Sequence, residues 1–288
     1  MAVKALACEL PCRRGLPLSR LSMADLQAEV VGQGLVASIG STTLWRWLSE
    51  DAIRPWYHRS WIFPRDPQFA VKAGRILDLY EGGWEGVALG ESDYVLSTDE
   101  KTSIQARRRK HVCSPPGPGR RRRVEHEYER GGSFAYLAAW DVRRAKLFGY
   151  CHETTGIAPF RELVAQVMAQ EPYRSAERVF WIMDNGSSHR GQRSVDRLRA
   201  EWKQMIPVHT PVHASWLNQI EIYFSIIQRK VLTPNTFESV AEGREKLLRF
   251  QEHYESLARP FEWKFTRRDL QRLLSRINQA DSCLRSAA

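Results

Sequence analysis

Hydrophobic and polar residues alternate with two different periods along the chain, and the change falls near Ser92. Upstream of that point, apolar residues recur at the spacing typical of short amphipathic helices. Downstream, short and nearly continuous apolar runs alternate with helical patterns, as in a buried mixed sheet. The pattern predicts a small helical region followed by a larger α/β region.

The N-terminal segment predicts three short helices. The apolar run from Ala2 to Cys8 is expected to form the first helix, and Pro11 to end it. Ser22 is expected to cap the second, MADLQAEVV, and Ser41 to cap the third, TTLWRWLSE. This segment is therefore expected to form a small all-α unit.

The third predicted helix begins with polar residues suited to contacts with DNA. Three short helices, of which the last carries an arginine, are typical of a helix-turn-helix motif whose last helix reads the major groove. We therefore predict four DNA-contacting residues here: Ser41, Thr42, Thr43 and Arg46. A helical hairpin with a Ser-Thr cap and no contact to DNA is an equally good interpretation of this segment taken alone.

The stretch from Ile53 to Trp84 predicts a linker followed by a docking helix. Three prolines lie among aromatic residues and arginines, and a helical pattern then runs from Asp66 to Tyr80. Aromatic and arginine side chains can hold DNA through its backbone, but they can equally anchor a linker on the core.

The second half predicts a sheet with helices on its faces. Strands are expected at DYVLSTDEK, SFAYLAAWDV, KLFGYCHE, RVFWIMD and MIPVHTP, and helices at APFRELVAQVMAQE and HRGQRSVDRLRAEW. A further helix, capped by Ser215, is expected in HASWLNQIEIYFSIIQRKVL. Two tail helices are predicted, from about Phe237 to Ala258 and from a Thr266 cap to near Ile277.

The charge balance points to a polyanionic partner. The chain of 288 residues has 43 Lys and Arg against 33 Asp and Glu, a formal net charge of +10 and a pI near 9.6. Its five cysteines are scattered without a repeated CxxC, which supports neither a disulfide framework nor a zinc site. No apolar run approaches the length of a membrane span, so we expect a soluble intracellular protein.

One strongly cationic segment follows the first predicted strand. Arginines and a lysine flank a Pro and Gly turn in IQARRRKHVCSPPGPGRRRRVEHEYERGG. A solvated loop is the ordinary interpretation of such a run, but its position favours an arm that grips phosphates. The predicted DNA contacts of this arm are Arg107, Arg108, Arg109, Arg121 and Arg122.

Three acidic residues stand at the edges of apolar segments. Asp99 and Asp184 end predicted strands, and Glu221 lies at the border of the buried face of a helix. Carboxylates at the carboxyl ends of neighbouring strands can converge, and a glutamate from a helix would complete a ligand set for divalent cations. Two such ions can activate an attacking hydroxyl and stabilise the leaving oxygen of a phosphodiester. A turn residue is the ordinary interpretation of any one of these acids alone.

Three segments, STDEKTSIQAR, WIMDNGSSHRG and HTPVHASWLNQIEIYFSIIQRKVL, closely resemble the bacterial insertion-sequence transposases of the mariner superfamily. The resemblance runs over nearly the whole chain. Between Asp99 and Asp184 lie 84 residues, and between Asp184 and Glu221 lie 36, a short second gap that fits this superfamily. The resemblance implies an α/β fold with a ribonuclease-H-like mixed sheet flanked by helices, preceded by a small all-α helix-turn-helix domain.

The same resemblance implies a site and partners. Asp99, Asp184 and Glu221 would be the catalytic metal ligands of a DDE triad, holding two Mg²⁺ ions, with Mn²⁺ as a substitute. The implied activity is cleavage of DNA at the element ends and transfer of the 3′-hydroxyl to a target, typically at TA. The implied partners are double-stranded DNA, as terminal inverted repeats and target, and a second copy in a homodimer. A cytoplasmic, nucleoid-associated protein is expected. Four residues match motif positions without a firm role: Lys101, Asn185, His189 and Arg190.

The expected organisation has four parts. These are a helix-turn-helix domain at 1–60, a linker and docking helix at 61–90, a DDE catalytic domain at 91–235 and C-terminal helices at 236–288. Since MAVKALACELP resembles the first helix of the second of two such units, the start is expected to be truncated. A non-cutting, DNA-binding derivative is therefore the alternative function. Glycoside hydrolysis by paired carboxylates gives no reason for the cationic arm.

Overall fold

Two units, Met1–Ile62 and Phe63–Ala288, make up the chain in the computed structural model. The structure describes residues 1–58, 64–185 and 192–286. Each unit has its own buried apolar core.

The first unit contains the three predicted helices. They are α1 (Ala2–Cys8), α2 (Met23–Gly32) and α3 (Ser41–Glu50). Ser22 caps α2 as predicted, since its hydroxyl accepts a hydrogen bond from the backbone N–H of Asp25 at 3.1 Å, and the Asp25 carboxylate accepts one from the N–H of Ser22 at 2.9 Å. The prediction that Ser41 caps α3 was wrong. Gly40 is the N-cap and makes no side-chain bond, because Ser41 has already joined the helix.

One face of α3 packs on this core, and the other is open. Leu44 and Leu48 are fully buried there. Ser41, Thr42 and Arg46 are exposed, and the fourth residue of the predicted DNA-contacting set, Thr43, is half-buried. The four residues thus lie mainly on the outward side of the helix, and their contact with DNA stays a prediction.

The second unit is built on one mixed sheet. Its strands are β3 (Asp93–Arg109), β4 (Tyr128–Asp141), β5 (Leu147–His152), β6 (Arg178–Met183) and β7 (Met205–His209), and a small separate hairpin precedes them as β1 (Gly83–Trp84) and β2 (Val87–Ala88). The strand order is β5-β4-β3-β6-β7. The pairs β3–β4 and β4–β5 are antiparallel, whereas β3–β6 and β6–β7 are parallel. The predicted mixed sheet is confirmed.

Helices cover both faces of this sheet. The bounds are α4 (Phe69–Glu81), α5 (Ile157–Met168), α6 (Gln192–Glu201), α7 (Ile220–Lys230), α8 (Val240–Glu255) and α9 (Arg267–Ser286). One core cluster joins α5 to the sheet, and the other joins α4, α7, α8 and α9 to its opposite face. The alternation of residues along each strand explains this division, since successive side chains point to opposite faces.

Several predicted boundaries were wrong. Strand β4 begins at Tyr128 rather than Ser133, and α9 continues to Ser286 rather than ending near Ile277. Strand β3 continues to Arg109, because it goes on pairing with β4 as a two-stranded ribbon beyond the other strands. One face of this ribbon buries Ile104 and Ala106, whereas Arg108 on it is exposed. Helix α4 begins at Phe69 rather than Asp66, whose carboxylate instead accepts the N–H of Gln68 at 2.9 Å. Ser215 is not an N-cap, because a short 3₁₀ turn and an extended Asn218 precede α7.

Within the described ranges, no helix combines the length and the apolar composition that a bilayer crossing requires.

Candidate functional site

Two of the predicted acidic residues lie just past the point where the parallel pairing of β3 with β6 ends. Asp99 does not end its strand as predicted but lies within β3, and Asp184 directly follows β6. Ser97 pairs with Ile182 in the parallel register of these neighbouring strands, and a further step of two residues along each strand reaches Asp99 and Asp184. Parallel strands end at the same edge of a sheet, and residues two apart share a face. Asp99 and Asp184 therefore lie level with each other at one edge.

Glu221 reaches this edge from the first turn of α7. The hydroxyl of Ser97 in β3 donates to the Oδ1 of Asn218 and accepts the backbone N–H of Ile220 at 2.8 Å. The Nδ2 of Asn218 in turn donates to the carbonyl of Thr98 at 2.8 Å. Three buried hydrogen bonds thus fasten the start of α7 to the residues immediately before Asp99.

Tyr80 of α4 supports the same turn from the other side. Its hydroxyl donates to the carbonyl of Leu217 at 2.6 Å and accepts the N–H of Gln219 at 3.3 Å. Burial raises the pKa of this hydroxyl well above its ordinary value, so it stays protonated and keeps donating. The position of Glu221 is therefore set by contacts to both β3 and α4.

Asp99 lies in a strongly desolvated and negatively charged environment. Burial is the main reason that its pKa rises to about 8, and the charges of Asp184, Glu221 and Glu100 raise it further. The backbone N–H of Glu100, which donates to Asp99 Oδ1 at 2.8 Å, opposes this rise. These effects mean that the carboxylates of Asp184 and Glu221 lie close enough to Asp99 to act on its charge.

Lys101 compensates part of the negative charge. Burial raises the pKa of Glu221, the cation of Lys101 lowers it, and the charge of Asp184 raises it again. Burial lowers the pKa of Lys101, and Glu221 opposes that shift. Lys101 is thus a motif residue whose charge acts directly on Glu221.

The chemistry of the donor set fits divalent metal ions. Three carboxylates supply the hard oxygen ligands that Mg²⁺ and Mn²⁺ prefer, and a cation among them would favour the ionised form of Asp99. Within the described part of the chain, no group of three or more His, Cys, Asp or Glu side chains is already arranged so that it could hold a metal ion. Mutual repulsion of uncompensated carboxylates opposes such a close arrangement.

Asn185, a further motif residue, follows Asp184 just after the end of β6. The Nδ2 of Asn185 donates to the carbonyl of Thr210 at 2.5 Å, which ties the turn after Asp184 to the end of β7. His209 Nδ1 lies 3.4 Å from the carbonyl oxygen of Asp184, and burial lowers the pKa of this imidazole. His189 and Arg190 fall outside the described residues.

The predicted DNA-contacting arginines of the arm occupy different environments. Arg108 forms an exposed ion pair with Glu129. Arg109 donates to the carbonyls of Glu125 and Asn235, each at 2.8 Å, and so fixes the base of the ribbon. Arg121 and Arg122 are exposed near its tip, where Ser114 pairs with Arg123 and Gly117 with Arg120. Arg107, whose guanidinium carbon lies 4.8 Å from the ring centroid of Tyr128, stacks on that ring.

Sequence reasoning missed two residues that build the site. Ser97 is fully buried within an apolar strand. The sequence does give a signal for it, because a buried polar residue needs a hydrogen-bond partner and this one stands two residues before Asp99. Tyr80 was recognised only as the end of a docking helix, because nothing in the chain order indicates that it meets a turn far along the sequence.

The five-stranded mixed sheet and the helices on both of its faces are those of the ribonuclease-H-like fold. This fold defines the class of protein. Solved structures share this fold. One is described as the Mos1 transposase paired-end complex with left transposon end, with 15% identity, a TM-score of 0.50, and coverage of 91% of this chain and 78% of that chain. Another, the Mos1 mariner paired end complex with Mn, has 14% identity, a TM-score of 0.51 and the same coverage.

A family model described as DDE superfamily endonuclease matches residues 94–242, just over half of the chain. The chain therefore belongs to this family. A comparison with curated proteins gives no match. The matched segment contains Asp99, Asp184 and Glu221.

Proposed function

We propose that this protein is a mariner-type DNA transposase, which cuts DNA at the ends of a mobile element and transfers the 3′-hydroxyl to a target, with TA as the expected target. The observation that carries the proposal is the convergence of Asp99, Asp184 and Glu221 at one edge of the sheet, with the pKa of Asp99 raised to about 8. Membership of the DDE superfamily endonucleases supports it.

The three carboxylates would hold divalent cations, Mg²⁺ in the proposal and Mn²⁺ as a substitute. When bound, these ions activate a water or 3′-hydroxyl and stabilise the leaving oxygen of an in-line displacement. The ligand set matches the preference of such ions for carboxylate oxygens. The likeness in fold to a Mos1 complex described with Mn supports the choice of metal.

The other residues of the site orient this set. Ser97 and Asn218 hold the first turn of α7 against β3, and Tyr80 holds the same turn against α4. Lys101 balances the charge of Glu221 when no substrate is bound. A misplacement of about 1 Å in such an arrangement can cost a hundredfold in rate, so these contacts bear directly on catalysis.

The partner in the proposal is double-stranded DNA, bound as terminal repeats and as target. The Mos1 structures of similar fold are described as paired-end complexes, one of them with a left transposon end. The net charge of +10 favours such a polyanion. We also propose a homodimer, since two ends must be brought together before they are joined.

The direct test is cleavage of a duplex that carries the inverted repeat flanking the reading frame. In Mg²⁺, the wild-type chain should cut at the repeat boundary, and Asp184→Asn should abolish cutting while binding is largely retained. A wild-type chain that binds this duplex in a salt-sensitive manner but never cuts it would instead favour the non-cutting derivative. Undiminished cutting by Asp184→Asn would contradict the proposed site.

A further inference from the structure

Strand β3 is irregular directly after Asp99. Lys101 pairs with Tyr136 and Ile104 with Phe134, so Thr102 and Ser103 stand opposite a single residue of β4. Ser103 has φ of 56°, a left-handed backbone conformation that is strained for a residue other than glycine. Bulges of this kind occur preferentially beside functional sites, where they redirect side chains.

A cavity of about 270 Å³ lies against this irregularity and is termed the bulge pocket. Its wall is formed by the bulge, by the next part of β3 and by the turn that follows α7. Its described lining contains three cationic residues, Lys101, Arg107 and Arg109, and no carboxylate. Thr102 and Ser103 add hydroxyl groups to the same wall.

Several buried polar atoms of this pocket have no hydrogen-bond partner among the described residues. Asn235 is only 9% exposed, and its Nδ2 donates to the carbonyl of Gln105 at 2.6 Å while its Oδ1 has no partner. The Nε atoms of Arg107 and Arg109 likewise have none. The Oδ1 of Asn235 is an acceptor and cannot bond to a phosphodiester, whereas the two Nε atoms are donors. Leaving buried donors unpaired is unfavourable, so the arginines favour a ligand that accepts hydrogen bonds.

The lining selects an anionic ligand. Guanidinium, ammonium and hydroxyl groups are the usual partners of phosphate oxygens in protein–DNA contacts. The ring of Tyr128 supports Arg107 by stacking and so reduces the freedom that its guanidinium loses on binding. Lys101 lines the pocket and also acts on the charge of Glu221, so the pocket adjoins the candidate site.

We propose that the bulge pocket binds one phosphodiester of the DNA strand next to the bond that is cut, and thereby sets which bond meets the acidic residues. This inference rests on the proposed function and adds a specific subsite to it. Arg107 is the main positioning residue, because it lines the pocket and its guanidinium makes no ion pair with a described residue. Arg109 contributes charge, since its terminal nitrogens already donate to carbonyls.

The test is a scan of single neutral methylphosphonates along a 40-base-pair duplex that carries the inverted repeat flanking the reading frame. The wild-type chain should lose binding several-fold at one or two adjacent positions near the cut. Arg107→Gln should bind unmodified DNA several-fold more weakly and be insensitive to those positions. The slope of log K against log salt should fall by about 0.9, as expected for one lost phosphate contact.

Two further variants make the result specific. Arg107→Lys keeps the charge and should restore part of the sensitivity. Arg161→Gln removes an exposed arginine of α5 on the opposite face of the sheet and should reproduce the wild-type pattern. Thermal melting of each variant verifies that it is folded.

The outcomes separate the inference from the proposed function. One such outcome is that the wild-type chain cuts DNA in Mg²⁺ while no methylphosphonate position affects its binding in a way that depends on Arg107. That result would overturn the inference and leave the proposed function intact. The inference would also be overturned if binding by Arg107→Gln were weakened by methylphosphonates at all the positions that weaken binding by the wild-type chain. If inorganic phosphate competes with DNA equally well for the wild-type chain and for Arg107→Gln, the phosphate binds at other sites. That result would count against the pocket. Absence of cutting by the wild-type chain would count against the proposed function instead.

Discussion

The carboxyl group of Asp99 has a strongly raised pKa, because burial and three neighbouring acids all favour its neutral form. Its pKa of about 8 lies well above the ordinary value of 3.8. Between these two values the folded chain therefore holds a proton that the unfolded chain has released.

This difference predicts how the metal-free protein responds to pH. The folded state binds more protons than the unfolded state between about pH 4 and pH 8, so the contribution of Asp99 to the free energy of unfolding falls as pH rises through this window. Asp99→Asn stays neutral and should melt higher than the wild-type chain in EDTA at pH 8, by several degrees, with a smaller difference at pH 5. Differential scanning fluorimetry across this range measures it.

Glu91→Gln is the control, since Glu91 is exposed in the turn before β3. It should leave the dependence of melting temperature on pH as in the wild-type chain. Equal melting temperatures of Asp99→Asn and the wild-type chain at both pH values would show that Asp99 is not perturbed in this way.

The contact between β3 and α7 is the element-scale feature that creates the site. Ser97 is fully buried and uses its hydroxyl both to donate to Asn218 and to accept the N–H of Ile220. Without that hydroxyl, the N–H of Ile220 and the Oδ1 of Asn218 would each lose this buried partner.

Ser97→Ala should therefore reduce both stability and activity. We expect a loss of about 1–3 kcal/mol in the free energy of unfolding and a drop of at least tenfold in the cleavage rate, since the helix that carries Glu221 would be less well fixed. Urea unfolding and single-turnover cleavage measure the two effects. Ser225→Ala, an exposed position on the same helix, should change neither. Full activity of Ser97→Ala would refute the positioning role.

The ribbon formed by β3 and β4 beyond the sheet brings arginines to its tip. Arg121 and Arg122 are exposed, and neither forms an ion pair with a described residue. Each phosphate contact contributes about 0.9 to the slope of log K against log salt for duplex DNA. Arg121→Gln combined with Arg122→Gln should lower this slope by about 1–2 and leave the melting temperature unchanged. A slope equal to that of the wild-type chain would show that the tip does not touch DNA.

Much of this architecture could be predicted from the sequence, because buried strands and amphipathic helices repeat with characteristic periods. Asp99 and Asp184 were predicted to meet since both follow apolar strands. The extension of β3 to Arg109 could not be predicted, because Ile104 and the small Ala106 are the apolar residues of its buried face and they stand among polar and cationic neighbours. The contacts of Ser97 and Tyr80 depend on residues far apart in the chain, and no local pattern reports them.

At the scale of the whole molecule, the C-terminal residues belong to the core of the second unit. Phe261 lies 4.7 Å from Trp140, and Trp263 lies 5.1 Å from Tyr80, measured between ring centroids. Leu270 of α9 is 2% exposed. The division into a catalytic part at 91–235 and a separate tail stays a prediction, but these contacts show that the tail packs on residues that shape the site.

Ending the chain after Pro260 should therefore disrupt the fold. The truncation would uncover Trp140, which is fully buried, and would remove the ring that packs on Tyr80. Burial of a large aromatic side chain contributes on the order of 3–5 kcal/mol, so loss of cooperative thermal unfolding is expected. A chain ended after Ser286 keeps the whole of α9 and should melt as the full chain does. If the chain ended after Pro260 still unfolds cooperatively, at the same melting temperature as the full chain, the tail does not have this role.

The binding of Mn²⁺, followed by electron paramagnetic resonance, tests most directly whether the three distant acids form one metal site. The wild-type chain should bind Mn²⁺ saturably, and Asp99→Asn, Asp184→Asn and Glu221→Gln should each weaken the binding by at least about tenfold, as expected when a ligand is removed. Glu91→Gln should bind as the wild-type chain does. Equal affinity in all three variants and the wild-type chain would contradict a shared metal site.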